Sequence, residues 1–286
     1  MPTALAVGAH PDDVELTCAG TLVLLRRAGW DVHIATMTAG DLGSAELPPA
    51  RIGALRRREA AASARLLGAP YTCLGFRDLT VVYSEPAKRR VSGFLRIVRP
   101  DLLLLPSPVD YMADHEETPR IVREAAFAST IRNWKASFDG RSEPPCARMP
   151  SVLYADPIDH VDHFGRRVPA ALLVDVTDVF PLREKMLACH ASQREWLRTQ
   201  HGQDEYLDWN RRLAADRARD AGRARVRYAE GFRPHLGSGF PKEDVLTGAL
   251  GPGRVIRMDE RRPTTDGRAR GDVPTNRRPR VLPRLR

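Results

Sequence analysis

The chain of 286 residues has only four cysteines, Cys18, Cys73, Cys146 and Cys189, and no two of them form a C-x-x-C pair. This scatter argues against a zinc ribbon and against a disulfide framework, so free thiols are expected. No apolar run approaches the ~20 residues that a membrane-spanning helix needs, and the chain does not open with a basic and apolar signal segment. We therefore expect a cytoplasmic protein without a membrane partner.

The chain has little excess of basic over acidic residues except at its C-terminal end. The net charge is +9, but eleven Arg and only four acidic residues lie in residues 251–286, together with five Pro and no aromatic residue. Such a composition cannot bury enough apolar surface to fold. We therefore predict a single domain over residues 1–250 and a basic, disordered tail over residues 251–286. Contacts of this tail with nucleic acid would be weak, since it lacks aromatic residues for base stacking.

Short apolar runs alternate with segments of helical periodicity along most of the chain. Residues 5–8 have the length and composition of a buried strand, and residues 101–106 contain four consecutive Leu. Between these two runs, residues 50–67 have high helix propensity and end at Gly68, a suitable C-cap. The alternation predicts an α/β fold that is Rossmann-like, with a mostly parallel sheet and helices on both faces.

The first predicted strand ends in an imidazole and two carboxylates, those of His10, Asp12 and Asp13. Ligands bind at the carboxyl ends of strands in open α/β sheets, and imidazole and carboxylate groups suit a divalent metal. His10 and Asp13 can both turn towards a metal, which leaves Asp12 as a general base for water. A helix cap would explain one of the two acids, and a dinucleotide-binding loop would need a G-x-G-x-x-G motif that is absent here.

A second imidazole follows the strand at residues 101–106. His115 lies in the polar stretch after that strand, so it is expected at the same sheet edge as His10. A catalytic zinc site typically has three protein ligands. The sequence therefore predicts a metal site at the carboxyl edge of the strands, with His115 as the third ligand.

With these residues identified, the sequence resembles the PIG-L/LmbE-like family of zinc-dependent deacetylases, which act on N-acetylglucosamine-containing substrates. The resemblance covers roughly residues 4–232. It is carried by AHPDD at 9–13, an Arg/Glu-rich helix ending at Leu67-Gly68, GFRD at 75–78, DH at 114–115, HASQ at 190–193 and AEGF at 229–232.

The resemblance implies a role for six individual positions. His10, Asp13 and His115 would bind Zn²⁺, with Fe²⁺ as an alternative metal, and Asp12 would be the general base. Arg56 and Asp78 would match positions that hold sugar hydroxyls.

One position departs from the family pattern. Many members carry a His three residues before the last ligand, where this chain has Met112. A thioether can neither donate a proton nor stabilise an oxyanion through a charged hydrogen bond. The polar loop at residues 156–169 contains His160 and His163, and we predict that His163, beside its Phe164-Gly165 turn, supplies the missing donor. The alternative is that both are ordinary loop histidines.

The resemblance therefore implies an enzyme, a metal-dependent N-deacetylase that hydrolyses a linear amide in a small acetylated amino sugar. The products would be acetate and the free amine. One alternative is a metal-dependent amidase or esterase that acts on a non-sugar acyl group. Another is a polyanion-binding protein that acts through its basic tail. A homo-oligomer is compatible with each hypothesis.

Overall fold

The structure, a computed structural model, describes residues 1–194 and 205–258. The strands in these residues are β1 (Thr3–Gly8), β2 (Asp31–Thr38), β3 (Tyr71–Phe76), β4 (Leu102–Leu105), β5 (Ser151–Ala155), β6 (Leu172–Asp175), β7 (Ala229–Pro234) and β8 (Val255–Arg257). The helices are α1 (Asp13–Thr17), α2 (Ala19–Arg27), α3 (Pro49–Leu67), α4 (Glu85–Val98), α5 (Ala113–Ser129), α6 (Phe180–Leu187), α7 (Glu205–Asp220) and α8 (Val245–Leu250), with a 3-10 turn at Ile158–His160.

The eight described strands form one sheet in the order β3-β2-β1-β4-β5-β7-β6-β8. The first five strands in this order, β3-β2-β1-β4-β5, run parallel to one another. Strand β7 runs antiparallel to β5 and β6, and β8 runs antiparallel to β6. The predicted α/β architecture with a mostly parallel sheet is confirmed.

Both faces of the sheet are covered by helices. Successive side chains of a strand point to opposite faces, so each buried strand contributes to both cores. In β1, Ala4 and Ala6 belong to one core, which includes apolar side chains of α2 and α6. Leu5 and Val7 belong to the opposite core, which includes side chains of α4 and α5. A strand buried on both faces reads as a continuous apolar run, which is why β1 and β4 are recognisable in the sequence.

The folded part of the chain extends beyond the predicted boundary at residue 250. Strand β8 pairs with β6, and its side chains Val255 and Ile256 are 3% and 6% exposed. The average composition of residues 251–286 conceals this short apolar pair, so the boundary is corrected to Met258 at the earliest. The rest of the predicted tail, residues 259–286, lies outside the described residues. No helix in the described part of the chain is long and apolar enough to span a membrane.

Candidate metal centre and its cavity

The loop after β1 turns sharply into α1. Asp12 has a φ of 103°, in a region that non-glycine residues rarely adopt. Asp13 begins α1, and its Oδ2 accepts hydrogen bonds from the backbone N–H groups of Ala9 and His10, at 2.8 and 2.9 Å. The loop is thereby folded back onto the first turn of the helix. The two neighbouring carboxylates consequently contact different partners.

The three predicted metal ligands lie together at the carboxyl edge of the parallel strands. His10 Nδ1 is 3.3 Å from His115 Nε2, Asp13 Oδ1 is 3.5 Å from the same Nε2, and Asp13 Oδ2 is 3.8 Å from His10 Nδ1. All three side chains are buried. Ligand atoms bound at about 2.1 Å to a tetrahedral ion are about 3.4 Å apart. The cluster therefore fits one metal ion of this kind.

Further carboxylates contact the opposite nitrogen of each imidazole. Asp110 Oδ1 lies 3.1 Å from His115 Nδ1. Asp78 Oδ1 and Asp114 Oδ2 lie 3.0 and 3.3 Å from His10 Nε2. These contacts fix the proton on the outer nitrogen and leave the inner lone pair for a metal, as carboxylates do around metal-binding histidines.

His10, Asp78 and Asp114 form a second set of close ligand atoms. This set is less suited to a metal, because both oxygens of Asp114 already accept backbone hydrogen bonds, from Leu79 at 2.8 Å and from Val81 at 3.2 Å. Asp78 and Asp114 therefore fit better as groups that orient the His10 ring.

The electrostatics of the cluster favour positive charge. Burial alone would lower the pKa of His10, but hydrogen bonds to Asp114 and Asp78 and the charge of Asp13 raise it to about 9. Burial also opposes the protonation of His115, whereas the charge of Asp13 helps to raise its pKa to about 11. Burial raises the pKa of Asp13, but the charge and hydrogen bond of His115 bring it far below its usual range. At neutral pH both imidazoles would thus be protonated without a metal, and a bound cation would take the place of one proton on each ring.

Asp12 is held apart from the ligand cluster. Tyr206 Oη donates a 2.5 Å hydrogen bond to Asp12 Oδ2, and Arg56 Nη2 lies 3.6 Å from Oδ1. Burial raises the pKa of Asp12, against the opposing charges of Arg56 and His190. A buried carboxylate with a raised pKa beside a cluster of candidate metal ligands is suited to proton transfer.

Arg56 also fixes the loop that carries the ligands. Its Nη2 donates to the Pro11 carbonyl at 2.9 Å, and its Nη1 donates to the Gly40 carbonyl at 3.3 Å. A Cβ at Gly40 would lie 2.2 Å from Nη1, and the φ of this residue is 61°, so the contact needs glycine there. Arg56 and Asp78 both line the cavity described next. Their contact with sugar hydroxyls stays a prediction.

A cavity of about 440 Å³ opens at the ligand cluster. Away from the cluster its lining is mainly apolar, with Leu42, Leu79, Tyr111, Met112, Ile158 and Trp209. Leu79 is 61% exposed and Tyr111 is 70% exposed. Apolar walls around a few convergent polar groups are typical of small-molecule sites. We call this space the metal cavity.

The structure places His163 and His160 away from the metal cavity. His163 is half-exposed, with its Nε2 3.0 Å from Glu116 Oε1. His160 is buried, and its Nδ1 lies 3.2 Å from Asp216 Oδ2. Backbone hydrogen bonds, including one of 2.8 Å from Val168 N–H to the His160 carbonyl, close their loop on itself. The prediction that His163 faces the substrate is therefore corrected.

Sequence reasoning missed the contribution of α7. Tyr206 and Trp209 of this helix line the metal cavity, and they lie three positions apart on one helical face. The Trp209 indole N–H donates a 2.8 Å hydrogen bond to Asp159 Oδ1. Neither residue lies in a polar motif, so the spacing of two aromatic residues is the only signal that could have identified them.

The fold and the site define an α/β protein with a buried His-Asp-His candidate metal centre at the carboxyl edge of its parallel strands. Residues 5–126 match the PIG-L family, described as GlcNAc-PI de-N-acetylase. This match confirms the resemblance to the PIG-L/LmbE-like family. The matched segment contains the three candidate ligands and Asp12.

Similar proteins include two types of enzyme. The chain is 25% identical to 4-oxalmesaconate hydratase of Pseudomonas putida, over 84% of this chain and 90% of the relative. It is also 25% identical to diacetylchitobiose deacetylase of Thermococcus kodakarensis, over 66% and 69% of the two chains. The structure of N,N'-diacetylchitobiose deacetylase from Pyrococcus horikoshii is 26% identical, with a TM-score of 0.66, and the match covers 85% of this chain and 88% of that one. The relatives are therefore enzymes of both deacetylase and hydratase type.

Proposed function

We propose that the protein is a zinc-dependent N-deacetylase that hydrolyses the N-acetyl group of an N-acetylglucosaminyl-type substrate. The observation that carries the proposal is the division between two adjacent carboxylates. Asp13 lies in the ligand cluster, whereas Asp12 lies beside it and is held by Tyr206 and Arg56. A metal ligand and an independent base are the two groups that metal-assisted amide hydrolysis requires.

The ligand cluster suits Zn²⁺ through its two imidazole nitrogens, its carboxylate and the tetrahedral spacing of these atoms. When bound there, Zn²⁺ would polarise the amide carbonyl and lower the pKa of a water molecule towards ~7. The same donors would accept Fe²⁺.

The side chains of the metal cavity account for the proton transfers. Asp12 takes a proton from the attacking water and returns it to the departing nitrogen. A C–O bond forms, the amide C–N bond breaks, and acetate and a free amine leave. Met112 contributes no proton, so Asp12 serves in both steps. Tyr206 and Arg56 keep its carboxylate oriented through their contacts with its two oxygens.

The apolar walls of the metal cavity indicate which class of substrate it would accept. Tyr111 and Trp209 present aromatic surface at the cavity, and Leu79 presents an exposed aliphatic side chain. A sugar ring has apolar faces as well as hydroxyl groups, and an apolar aglycone would also contact these side chains. Arg56 and Asp78 supply polar groups for the hydroxyls. The walls thus support an amino-sugar glycoside as substrate.

Hydration of a carbon–carbon double bond is a second candidate, favoured by the similarity to 4-oxalmesaconate hydratase. Hydration also needs an activated water molecule and a base, so the same side chains could serve it. Hydrolysis of a non-sugar amide or ester stays a further alternative within the hydrolases. Polyanion binding by the tail concerns residues outside the described part of the chain.

The proposal is tested by measuring the turnover of four groups of compounds by the Zn²⁺-reconstituted protein, as acetate release for the first three and as hydration for the fourth. These are N-acetylglucosaminyl glycosides, acetylated amines without a sugar, aryl acetates and unsaturated dicarboxylates assayed for hydration. We expect acetate from the glycosides, with kcat/KM at least ~100-fold above the other groups, and no turnover after metal removal. Turnover confined to the dicarboxylates would replace the deacetylase with a hydratase.

A further inference from the structure

A second cavity, of about 760 Å³, lies between α4 and the loop at residues 130–145. Its lining contains five cationic side chains, those of Arg89, Arg90, Arg96, Arg132 and Lys135, and two acidic ones, those of Asp139 and Glu143. None of its lining residues lines the metal cavity. Residues 1–250 hold 34 basic and 32 acidic residues, so this local excess of three positive charges exceeds that of the whole segment. We call this space the basic cleft.

Arg96 is a buried cation without a carboxylate partner among the described residues. It is 4% exposed, its Nε donates to the Ser129 carbonyl at 3.0 Å, and its Nη2 donates to the Ile131 carbonyl at 2.8 Å. These bonds cap the C-terminal end of α5, and they involve two of the three guanidinium nitrogens of Arg96. Nη1 donates to no described residue and is not among the buried nitrogens that lack a partner, so it is open to solvent in the cleft. Buried charges are rarely left without an opposite charge, and burial lowers the pKa of this guanidinium.

Two further cations of the cleft are uncompensated. The side chains of Arg132 and Lys135 make no hydrogen bond or ion pair within residues 1–194 and 205–258. By contrast, Arg89 pairs with Glu85 at 2.7 Å and Arg90 pairs with Asp139 at 2.9 Å. Two exposed cations and one buried cation therefore surround the cleft without a protein counter-charge.

The loop that carries Arg132 and Lys135 is packed firmly on α4. The Trp134 indole N–H donates a 3.2 Å hydrogen bond to Ser92 Oγ, and Arg89 stacks over the indole at 4.0 Å. A Cβ at Gly93 would lie 2.3 Å from the carbonyl carbon of Ser137, so glycine allows helix and loop to touch. The cations are thus presented by a preorganised scaffold, which lowers the entropic cost of binding.

We infer that the basic cleft binds a small molecule that bears a phosphate group. Its volume lies within the ~300–1,000 Å³ range of small-molecule sites. A phosphate monoester carries about −1.5 to −2 charges at pH 7, which matches the excess charge better than a single carboxylate does. Guanidinium groups also match phosphate oxygens in geometry. This inference is independent of the proposed function.

Titration calorimetry on the metal-loaded protein tests the inference, with inorganic phosphate and a sugar phosphate as probes. The corresponding unphosphorylated sugar is the negative control, and ionic strength is kept constant with chloride. We expect saturable binding of both phosphates with one site per chain. The double variant Arg132→Gln/Lys135→Gln should weaken it at least ~10-fold. Arg96→Lys, which keeps the charge but loses the planar fork, should weaken it by a smaller factor.

The matched control is Arg51→Gln/Lys242→Gln, which also removes two exposed positive charges but lines neither cavity. Binding should survive in this control. An equal loss in both double variants would reduce the effect to net charge and overturn the inference. Wild-type affinity in the cleft variant would move phosphate to another site, such as the metal cavity, and would also overturn it, as would the absence of saturable binding.

Discussion

The Tyr206 hydroxyl donates a 2.5 Å hydrogen bond to Asp12 Oδ2, which joins α7 to the loop after β1 across 194 residues of sequence. The orientation of the proposed base thus depends on a helix that lies outside the family-matched segment, residues 5–126. The proposed catalytic site is therefore assembled from both halves of the fold.

Tyr206→Phe should separate this hydrogen bond from the packing of the ring. Hydrogen bonds to charged groups contribute about 1.5–3 kcal/mol, so we expect kcat to fall ~10- to 100-fold while metal content stays unchanged. Tyr228→Phe is the matched control, because Tyr228 stacks on Phe180 and its hydroxyl has no hydrogen bond among the described residues. Equal kcat values in the two variants would show that the Tyr206 hydroxyl does not support Asp12.

Metal affinity should depend steeply on pH. Burial alone would lower the pKa of both imidazoles, but the surrounding carboxylates raise it to about 9 for His10 and about 11 for His115. Below pH ~9 a metal must therefore displace two protons, so its affinity is highest at high pH and falls as the pH decreases. We expect the Zn²⁺ association constant to rise up to ~100-fold per pH unit between about pH 6 and 8. Competition with a chelator of known proton affinity measures this slope, and a slope near zero would contradict the protonated cluster.

His115→Ala should remove the metal, because a three-ligand site has no spare donor. The fold should persist, as the cluster lies at the edge of the sheet. His163→Ala is a useful comparison, since His163 lies outside the metal cavity and should keep both metal content and kcat. Elemental analysis and turnover of the two variants decide the matter. Full zinc in His115→Ala would place the third ligand elsewhere.

The C-terminal boundary can be tested by two truncations. A chain that ends at Met258 should melt within ~1 °C of the full chain. A chain that ends at Leu250 loses the buried Val255 and Ile256, each contributing about 1.5–3 kcal/mol, so its Tm should fall by at least ~5 °C. Thermal unfolding followed by circular dichroism makes the comparison, and equal Tm values would contradict a structural role for β8.

The sequence predicts that His10, Asp13 and His115 lie close together, because each of them follows a strand of the parallel sheet before the next strand begins. His10 and Asp13 are adjacent to β1, and His115 follows β4, the neighbour of β1 in the sheet. A polar residue that closes a buried strand is conspicuous in the sequence, and parallel strands bring such residues to one edge. Local sequence therefore suffices to bring these three candidate ligands to one edge of the sheet.

The remaining parts of the site depend on packing between distant elements. Tyr206 reaches Asp12 only because α7 lies over the cavity, and a tyrosine in a charged helix carries no local mark of this contact. His163 shows the opposite error, since its polar loop resembles an active-site loop but closes on itself. Val255 and Ile256 were hidden by the composition of the segment around them. In each case the deciding contact is tertiary.

The turnover and metal content of Asp12→Asn, measured on one preparation, test the central claim most directly. Asparagine tolerates the left-handed backbone of this position and keeps the shape of the side chain. We predict wild-type zinc content and a kcat for acetate release that is ~10²- to 10⁴-fold lower, because a general base contributes that factor without binding the metal. Loss of zinc would make Asp12 a ligand, and wild-type turnover with zinc retained would show that another group carries the proton.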